Sequence, residues 1–203
     1  MTDVAKVMLS EFEAMLVTNT EWILTKHTII QKAAEMLSSQ VDVINNNFMI
    51  SAASAFPELT ACVPKISKGE KYRELPYVIL DYPAIFSKSD VFALRTMFWW
   101  GHFISVTLQL SGKYKKQSEA FIEKNLPGAN PSLYISSGNE AWQHHFEADN
   151  YTLLSLMDAA TLHKKIVQPS FIKIALKYDL NEWNNMDVLL KEAYSSLAVL
   201  LKS

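Results

Sequence analysis

An apolar stripe between positions 23 and 44 constrains the fold more than any other feature of the sequence. Its members are separated alternately by four and three residues, which places them along one face of a helix about three heptads long. Many of the surrounding positions are polar, so this face needs a partner. We expect that partner to be either the preceding helix, folded back as an antiparallel hairpin, or a second copy of the chain. The stripe comprises Ile23, His27, Ile30, Ala34, Leu37, Val41 and Ile44.

Helical spacing also precedes this stripe. Thr18 and Glu21 match a capping box, in which a hydroxyl and a carboxylate satisfy free backbone N–H groups at the start of a helix. One helix should therefore end and another begin near this position, which predicts a helical hairpin over about residues 2–48. The apolar residues of the first helix are Val4, Met8, Phe12 and Met15.

The C-terminal part, about residues 150–202, is predicted to be helical as well. Asn150 can cap a helix that runs to about Val167. Asp179 and Glu182 match another capping box, ahead of a final helix. The apolar stripe of that final helix comprises Trp183, Met186, Leu190, Ala193, Leu197 and Leu200.

The middle of the chain, about residues 72–148, has features of β-strands. Residues 77–82 are rich in β-branched and aromatic side chains, and residues 102–110 alternate between apolar and polar. Residues 132–136 and 141–146 flank a Ser-Gly-Asn turn, which predicts a β-hairpin. We expect these segments to form a small, mainly antiparallel sheet of about four strands.

Two segments near these strands carry different signals. The stretch from Pro57 to Pro76 contains three prolines and a run of mixed charge, which predicts a loop. Ser87 and Asp90 match a capping box, which predicts a short helix beginning at Val91. Helices at both ends and strands between them favour an α+β fold over an alternating α/β fold, and we expect a single domain over residues 1–203.

Charge and cysteine content narrow the class of function. The formal net charge of -2 lacks the basic excess of nucleic-acid-binding proteins, so no nucleic acid is expected as a partner. The single cysteine, Cys62, cannot form a disulfide within the chain. The N-terminal residues lack the pattern of a signal peptide, and no apolar run reaches the roughly 18–20 residues that span a bilayer. We therefore expect a soluble, cytoplasmic protein with no membrane partner.

Motifs of common enzyme families are missing from the sequence. The chain has five glycines, and it contains no glycine-rich phosphate loop, nucleophile elbow, His-Glu-x-x-His motif or Cys-x-x-Cys pair. Nucleotide binding of the common kinds is therefore not expected, and the cofactor stays unknown.

A block of aromatic and charged residues between positions 81 and 102 is the first candidate site. An acid at the end of a strand, a cation within a helix and an imidazole at the start of the next strand could meet beside two indole rings. Small-ligand pockets combine apolar walls and a few polar groups in this way. The alternative is structural, with a salt bridge between acid and cation and with tryptophans that fill the core. The candidate pocket comprises Asp81, Tyr82, Arg95, Trp99, Trp100 and His102.

Histidines mark two further positions of interest. In an extended segment, His145, Glu147 and Asp149 would point to one face and could bind a divalent metal ion, or they could form a solvated outer face. His27 lies within an apolar stripe, where it is either a hydrogen-bonded core histidine or a pH-sensitive position.

These features favour a non-catalytic protein that binds a small molecule or another protein. A homo-oligomer formed through the helical stripes, such as a homodimer, is one expected assembly. The alternative is a hydrolase-type enzyme that uses His102 with Asp81, or a metal ion held by the residues from His145 to Asp149.

Overall fold

A computed structural model describes residues 7–202 of the chain, so the predicted helical residues 2–6 lie outside the described range. None of the helices in this range combines the length and the hydropathy needed to span a bilayer. The α-helices are α1 (Glu11–Thr18), α2 (Thr20–Ile44), α3 (Ile50–Ala55), α4 (Gly112–Asn125), α5 (Ala159–Val167) and α6 (Met186–Val199). The strands are β1 (Lys65–Tyr72), β2 (Leu75–Phe86), β3 (Val91–Trp99), β4 (Phe103–Ser111), β5 (Tyr134–Ser136), β6 (Tyr151–Leu153) and β7 (Phe171–Asp179).

The strands form one sheet in the order β1-β2-β3-β4-β7-β5-β6, and its neighbouring strands are antiparallel. Helices lie at both ends of the chain, which confirms the α+β class. The predicted number of about four strands is wrong, because the sheet has seven. The additional strands lie in regions that were expected to be loop or helix.

Residues 91–99 show the largest local difference, because they form β3 and do not begin a helix. Ser87 and Asp90 do interact, but as the turn of a β-hairpin. The Asp90 N–H donates to the Ser87 hydroxyl at 2.9 Å, and the Ser87 N–H donates to the Asp90 carbonyl at 3.0 Å. Both alternating sets of side chains in β3 are largely buried, so its sequence is apolar apart from Arg95 and Thr96 and shows no two-residue alternation. Arg95 therefore lies in the middle of a strand and not in a helix.

Three other segments also differ from the prediction. The expected loop of residues 57–76 contains β1, which is the edge strand of the sheet. The expected hairpin partner at residues 141–146 is irregular, and β5 pairs with β6. Asn150 does not begin a helix. The next α-helix is α5, capped by the carboxylate of Asp158, and β7 occupies part of the expected helical region.

The apolar stripe of α2 is buried only in its second half. From Ala34 to Ile44 it contributes to the core, where α2 packs against β2 and α6. The sheet therefore covers this part of the stripe. His27 lies in the exposed first half, so it is not a core histidine. Asn19 alone separates α1 from α2, and its side chain, not that of Thr18, caps α2.

The two faces of the sheet differ in chemistry. One face forms the main apolar core with α2, α4 and α6. The opposite face carries polar residues in register across neighbouring strands. An irregular stretch, residues 137–150, passes over β4, β5 and β7 on this polar face and is called the covering segment below. The part of the polar face formed by β1 and β2 lies beside this segment. The registered row comprises Lys65, Asp81, Arg95 and Thr107.

Candidate functional site

The polar face of the sheet holds a cleft of about 380 Å³. Three neighbouring strands form its floor, and the covering segment contributes one wall. Because registered residues on neighbouring strands point to the same face, Lys65, Asp81 and Arg95 meet here from β1, β2 and β3. The cleft is lined by Lys65, Ser67, Tyr72, Tyr77, Ile79, Asp81, Phe86, Arg95, Met97, Trp142 and His144.

The guanidinium group of Arg95 lies at the centre of the polar contacts in this cleft. Its Nε and Nη2 donate to the two carboxylate oxygens of Asp81 at 2.7 Å and 2.9 Å. Its Nη1 lies 3.1 Å from Nε2 of His144. Its central carbon lies 5.7 Å from the ring centroid of Trp142, within cation–π distance. A two-point pair with a carboxylate is strong and directional, so the orientation of Arg95 is well defined.

His144 is an uncharged acceptor in this arrangement. Burial, followed by the positive charge of Arg95, lowers the pKa of His144 from its usual 6.5 to about 3. A neutral ring that accepts the Arg95 N–H at Nε2 carries its proton on Nδ1. The Tyr72 hydroxyl accepts the backbone N–H of His144 at 2.7 Å, which holds this residue against the sheet. The ring therefore stays neutral across the physiological pH range.

Aromatic rings form the walls of the cleft. The rings of Phe86 and Trp142 are 5.8 Å apart and join β2 to the covering segment. The ring of Tyr77 lies over Gly69, its partner on β1, so closely that a Cβ atom at position 69 would come within 2.4 Å of it. Glycine at this position therefore lets the tyrosine ring lie flat on the edge strand and form one side of the cleft.

The structure brings together only part of the candidate pocket. Asp81 and Arg95 line the cleft. Tyr82 and Trp100 pack on the helical side of the sheet, where the Tyr82 hydroxyl donates to Oδ1 of Asn45 at 2.7 Å. Trp99 lies on the polar side and stacks on His102, with ring centroids 3.6 Å apart.

Trp99 and His102 mark the turn end of the β3–β4 hairpin, whereas Arg95 lies in the middle of β3. Asp81 is paired with Arg95, and no hydrogen bond between Asp81 and His102 exists within residues 7–202. An acid–base pair of these two groups is therefore not formed in this structure.

The sequence patterns did not predict the other residues that line the cleft, for two reasons. Lys65 and Ser67 belong to β1, which was expected to be a loop. Trp142 and His144 belong to the covering segment, whose path across the sheet follows from tertiary contacts and not from any periodicity. One usable signal was present in β2, where alternation places Tyr77, Ile79 and Asp81 on the same face.

A fully buried lysine fastens the covering segment to the sheet. Lys173 on β7 is 0% exposed, and its ammonium group donates to the Gln143 carbonyl at 2.7 Å and to Oδ1 of Asn150 at 2.9 Å. It also lies 4.9 Å from the ring centroid of Tyr151. The Lys173 backbone N–H donates to the hydroxyl of Ser136 at 3.1 Å. These contacts hold both ends of the segment and thus position its Trp142 and His144 side chains.

The second candidate site is gathered at the C-terminal end of the covering segment. Nδ1 of His145 lies 3.6 Å from a carboxylate oxygen of Glu147 and 3.7 Å from one of Asp149. The segment is a turn here and not a strand. The three side chains nevertheless converge, because the turn folds back on itself.

The fold and the cleft define a class of protein: an α+β protein with one seven-stranded antiparallel sheet, helices on one face and an aromatic-walled polar cleft on the other. Compared with known proteins, the sequence matches no protein-family model and no curated protein. The function is therefore inferred from the geometry of the cleft and of the surfaces around it.

Proposed function

We propose that this protein is a non-catalytic binding protein for a small, planar organic acid, which occupies the cleft on the polar face of the sheet. The arrangement around Arg95 is the observation that carries this proposal. The guanidinium group is held by Asp81, His144 and Trp142, so a ligand would meet a group whose orientation is already set. Preorganisation of this kind reduces the entropic cost of binding.

The polar groups of the cleft favour an acceptor-bearing ligand. Arg95 uses three of its five N–H groups on Asp81 and His144, and the other two have no partner within residues 7–202. Lys65 also lines the cleft, and its ammonium group has no hydrogen-bond or ion-pair partner in that range. Because Asp81 already neutralises Arg95, Lys65 supplies the net positive charge. A single carboxylate matches this set of donors.

The walls and the size of the cleft favour a flat and compact ligand body. Tyr72, Tyr77, Phe86 and Trp142 present aromatic rings to its interior. A volume of about 380 Å³ lies at the lower end of the range for small-molecule sites. A one- or two-ring organic acid would place its ring among these side chains and its carboxylate near Lys65 and Arg95.

Titration of the ¹⁵N-labelled protein with benzoate and with benzamide, followed by NMR, tests this proposal. We expect saturable shifts of the Trp142 indole and Arg95 Nε–H signals with benzoate, and weaker binding of the neutral amide. Ser67→Trp places a large side chain in the cleft and should abolish these shifts. Saturable shifts that map elsewhere, or unchanged affinity in Ser67→Trp, would refute a ligand site at this position.

Two lysines on the same strand provide a matched pair of variants. Lys65 faces the cleft, whereas Lys68 faces the other way and donates to Oε1 of Gln31 at 3.1 Å. Lys65→Met should weaken benzoate binding by about fivefold, the effect of one partly exposed ion pair, and leave benzamide binding unchanged. Lys68→Met should change neither. Equal effects of the two variants would contradict the assigned role of Lys65.

The same surface gives little support to a hydrolase that uses Asp81 and His102. The Asp81 carboxylate accepts two hydrogen bonds from Arg95, and the His102 ring stacks on Trp99. An acid–base pair would require both groups to leave these partners. Ligand binding without chemistry fits the observed contacts better.

We infer that a separate surface, formed by α1 and the first turns of α2, pairs with the same surface of a second copy. None of the residues of α1 is buried, and isolated helices of this length are marginal in water. The exposed apolar side chains of this surface, together with those of residues 7–9 just before α1, are Val7, Met8, Leu9, Phe12, Met15, Val17, Trp22, Ile23 and Leu24.

Light scattering of the full chain over a range of concentrations tests this pairing. We expect a dimer that Phe12→Glu converts to a monomer, because a carboxylate would be buried at the pairing surface. Lys32→Glu, on the polar face of α2, should leave the dimer intact. A monomeric wild-type protein at all concentrations would contradict the inference. A cytoplasmic location stays a prediction from the sequence.

A further inference from the structure

The turn at residues 145–149 carries three potential metal ligands on one short segment. A nitrogen of His145 and one carboxylate oxygen each of Glu147 and Asp149 lie within 4.8 Å of one another. The carboxylates are exposed, with 62% and 73% of their side chains accessible, so both can move toward a common centre. Clusters of this kind are common on protein surfaces without a metal ion. The burial and the hydrogen bonding of the histidine therefore decide whether this cluster is a metal site.

His145 is buried, and its Nδ1 atom has no hydrogen-bond partner within the described residues. The residue is only 3% exposed, and Nδ1 faces the two carboxylates across gaps of 3.6 Å and 3.7 Å. Both gaps are too long for hydrogen bonds. A buried polar atom without a partner costs stability, and nearly all such atoms in proteins are satisfied. A group placed between these three atoms, and able to bond to a nitrogen and two carboxylate oxygens at once, would satisfy Nδ1.

The chemistry of the buried atom suits a metal ion. Nδ1 of His145 faces the two carboxylates and has no hydrogen-bond partner within the described residues. A neutral imidazole nitrogen in this position can donate its lone pair to a metal ion.

The turn itself is held rigidly, so the ligands are presented in a fixed order. Asn150 donates from Nδ2 to the His145 carbonyl at 2.6 Å, and it also accepts the buried Lys173 ammonium. Phe146, between two of the ligands, stacks on Tyr151 with ring centroids 4.5 Å apart. These contacts attach the backbone of the turn to the sheet and leave the two carboxylates on the exposed side of the turn.

We propose that His145, Glu147 and Asp149 bind a divalent transition-metal ion of the zinc class, independently of the organic ligand in the cleft. One imidazole and two carboxylates suit zinc, whereas calcium and magnesium prefer sites made of oxygen alone. Ligands on a tetrahedral zinc ion lie about 3.4 Å apart for bonds of about 2.1 Å. The gaps of 3.6 Å and 3.7 Å from Nδ1 already lie close to this spacing. The two carboxylate oxygens, at most 4.8 Å apart, need to approach each other by at most about 1.4 Å, and water would complete the coordination on the exposed side.

Arg73 competes with the metal ion for Glu147. Its Nη1 lies 2.5 Å from Oε1 of the Glu147 carboxylate, and this contact lowers the pKa of the carboxyl. A bound cation would replace the guanidinium group as the partner of that carboxylate. Removal of the arginine should therefore strengthen metal binding. If the ion pair had only a structural role, its removal would not increase the affinity for a metal ion.

Calorimetric titration of the chelator-treated full chain with Zn²⁺ tests the site, with Co²⁺ absorption as a spectroscopic probe. We expect one ion per chain, a Kd at least tenfold weaker in Asp149→Asn, and a Kd several-fold tighter in Arg73→Gln. Asp149→Asn changes an exposed side chain, so the fold should be retained. His145→Ala should remove binding, and NMR of wild-type protein should show the metal-induced shift at His145 Nδ1.

His163 provides the matched control, because it is an exposed histidine that contacts the carboxylate of Glu123 elsewhere on the surface. His163→Gln should leave the Zn²⁺ affinity unchanged. The proposal is overturned if wild-type protein takes up no ion in the titration, if Asp149→Asn and His145→Ala bind as wild type does, or if His163→Gln removes the binding. The organic-acid site is measured separately by the benzoate titration, so each proposal can fail without the other.

Discussion

The buried ammonium group of Lys173 should make the stability of the protein rise with pH on the alkaline side of neutrality. Burial lowers the pKa of this lysine from its usual 10.5 to about 8. Between these two values the unfolded chain binds a proton that the folded chain has lost, so the free energy of unfolding increases as the pH rises. The sign is opposite to that of a salt-bridged lysine, whose folded-state pKa is raised.

The size of the effect follows from the two pKa values. Integration of the proton difference from about pH 7.5 to about pH 9.5 gives a gain of about 2 kcal/mol in the free energy of unfolding. Few neighbours of Lys173 titrate in this window. His144 and His145 are neutral because their pKa values are lowered, and burial raises the pKa of the Tyr151 hydroxyl.

Urea denaturation at intervals across this window measures the predicted slope. Lys173→Met removes the titrating group and should flatten the dependence, whatever its effect on the overall stability. Lys177→Met is the matched control, because Lys177 lies four residues further along β7 on the same face but is exposed. It should keep the slope of the wild type. A wild-type stability that is constant or falls with pH, or an equal slope in Lys173→Met, would refute the reasoning.

Other predictions test the cleft and the core. Gly69→Ala forces the ring of Tyr77 off β1 and toward the cleft, so benzoate binding should weaken in the NMR titration while the far-UV circular dichroism stays unchanged. Asp81→Asn breaks a buried ion pair and should lower the free energy of unfolding by about 3 kcal/mol in urea denaturation. Leu37→Ala, in the core, should cost about 3 kcal/mol by the same assay, whereas Leu156→Ala, at an exposed position outside the proposed pairing surface, should change stability by less than about 0.5 kcal/mol.

Periodic patterns in the sequence predicted the elements whose two sides face different environments. The final helix and the second half of α2 each bury one stripe. β4 is buried on both sides, but its polar and apolar residues alternate, so one side is polar and the two-residue period was visible. These patterns are local, so they can be read from a single segment. The α+β class followed from their order along the chain.

Elements without such asymmetry could not be predicted in this way. β3 is largely buried on both sides, and its preceding Ser87–Asp90 pair can cap a helix or close a hairpin with the same side chains. β7 contains Lys173 at a position that looks exposed in the sequence but is covered by the covering segment. The cleft depends on the register of β1 with β2 and on that covering segment, which are long-range contacts that no local pattern specifies.

The edges of the sheet explain how a sheet of this size can avoid growing into a larger aggregate. An exposed edge strand offers free N–H and C=O groups to any other extended chain. β1 carries three lysines and a break in its register between Gly69 and Tyr72. At the opposite edge, β6 is only three residues long. Two molecules that approach edge to edge would meet like charges on one side and too few hydrogen-bonding groups on the other, so continuous cross-β stacking is disfavoured in both directions.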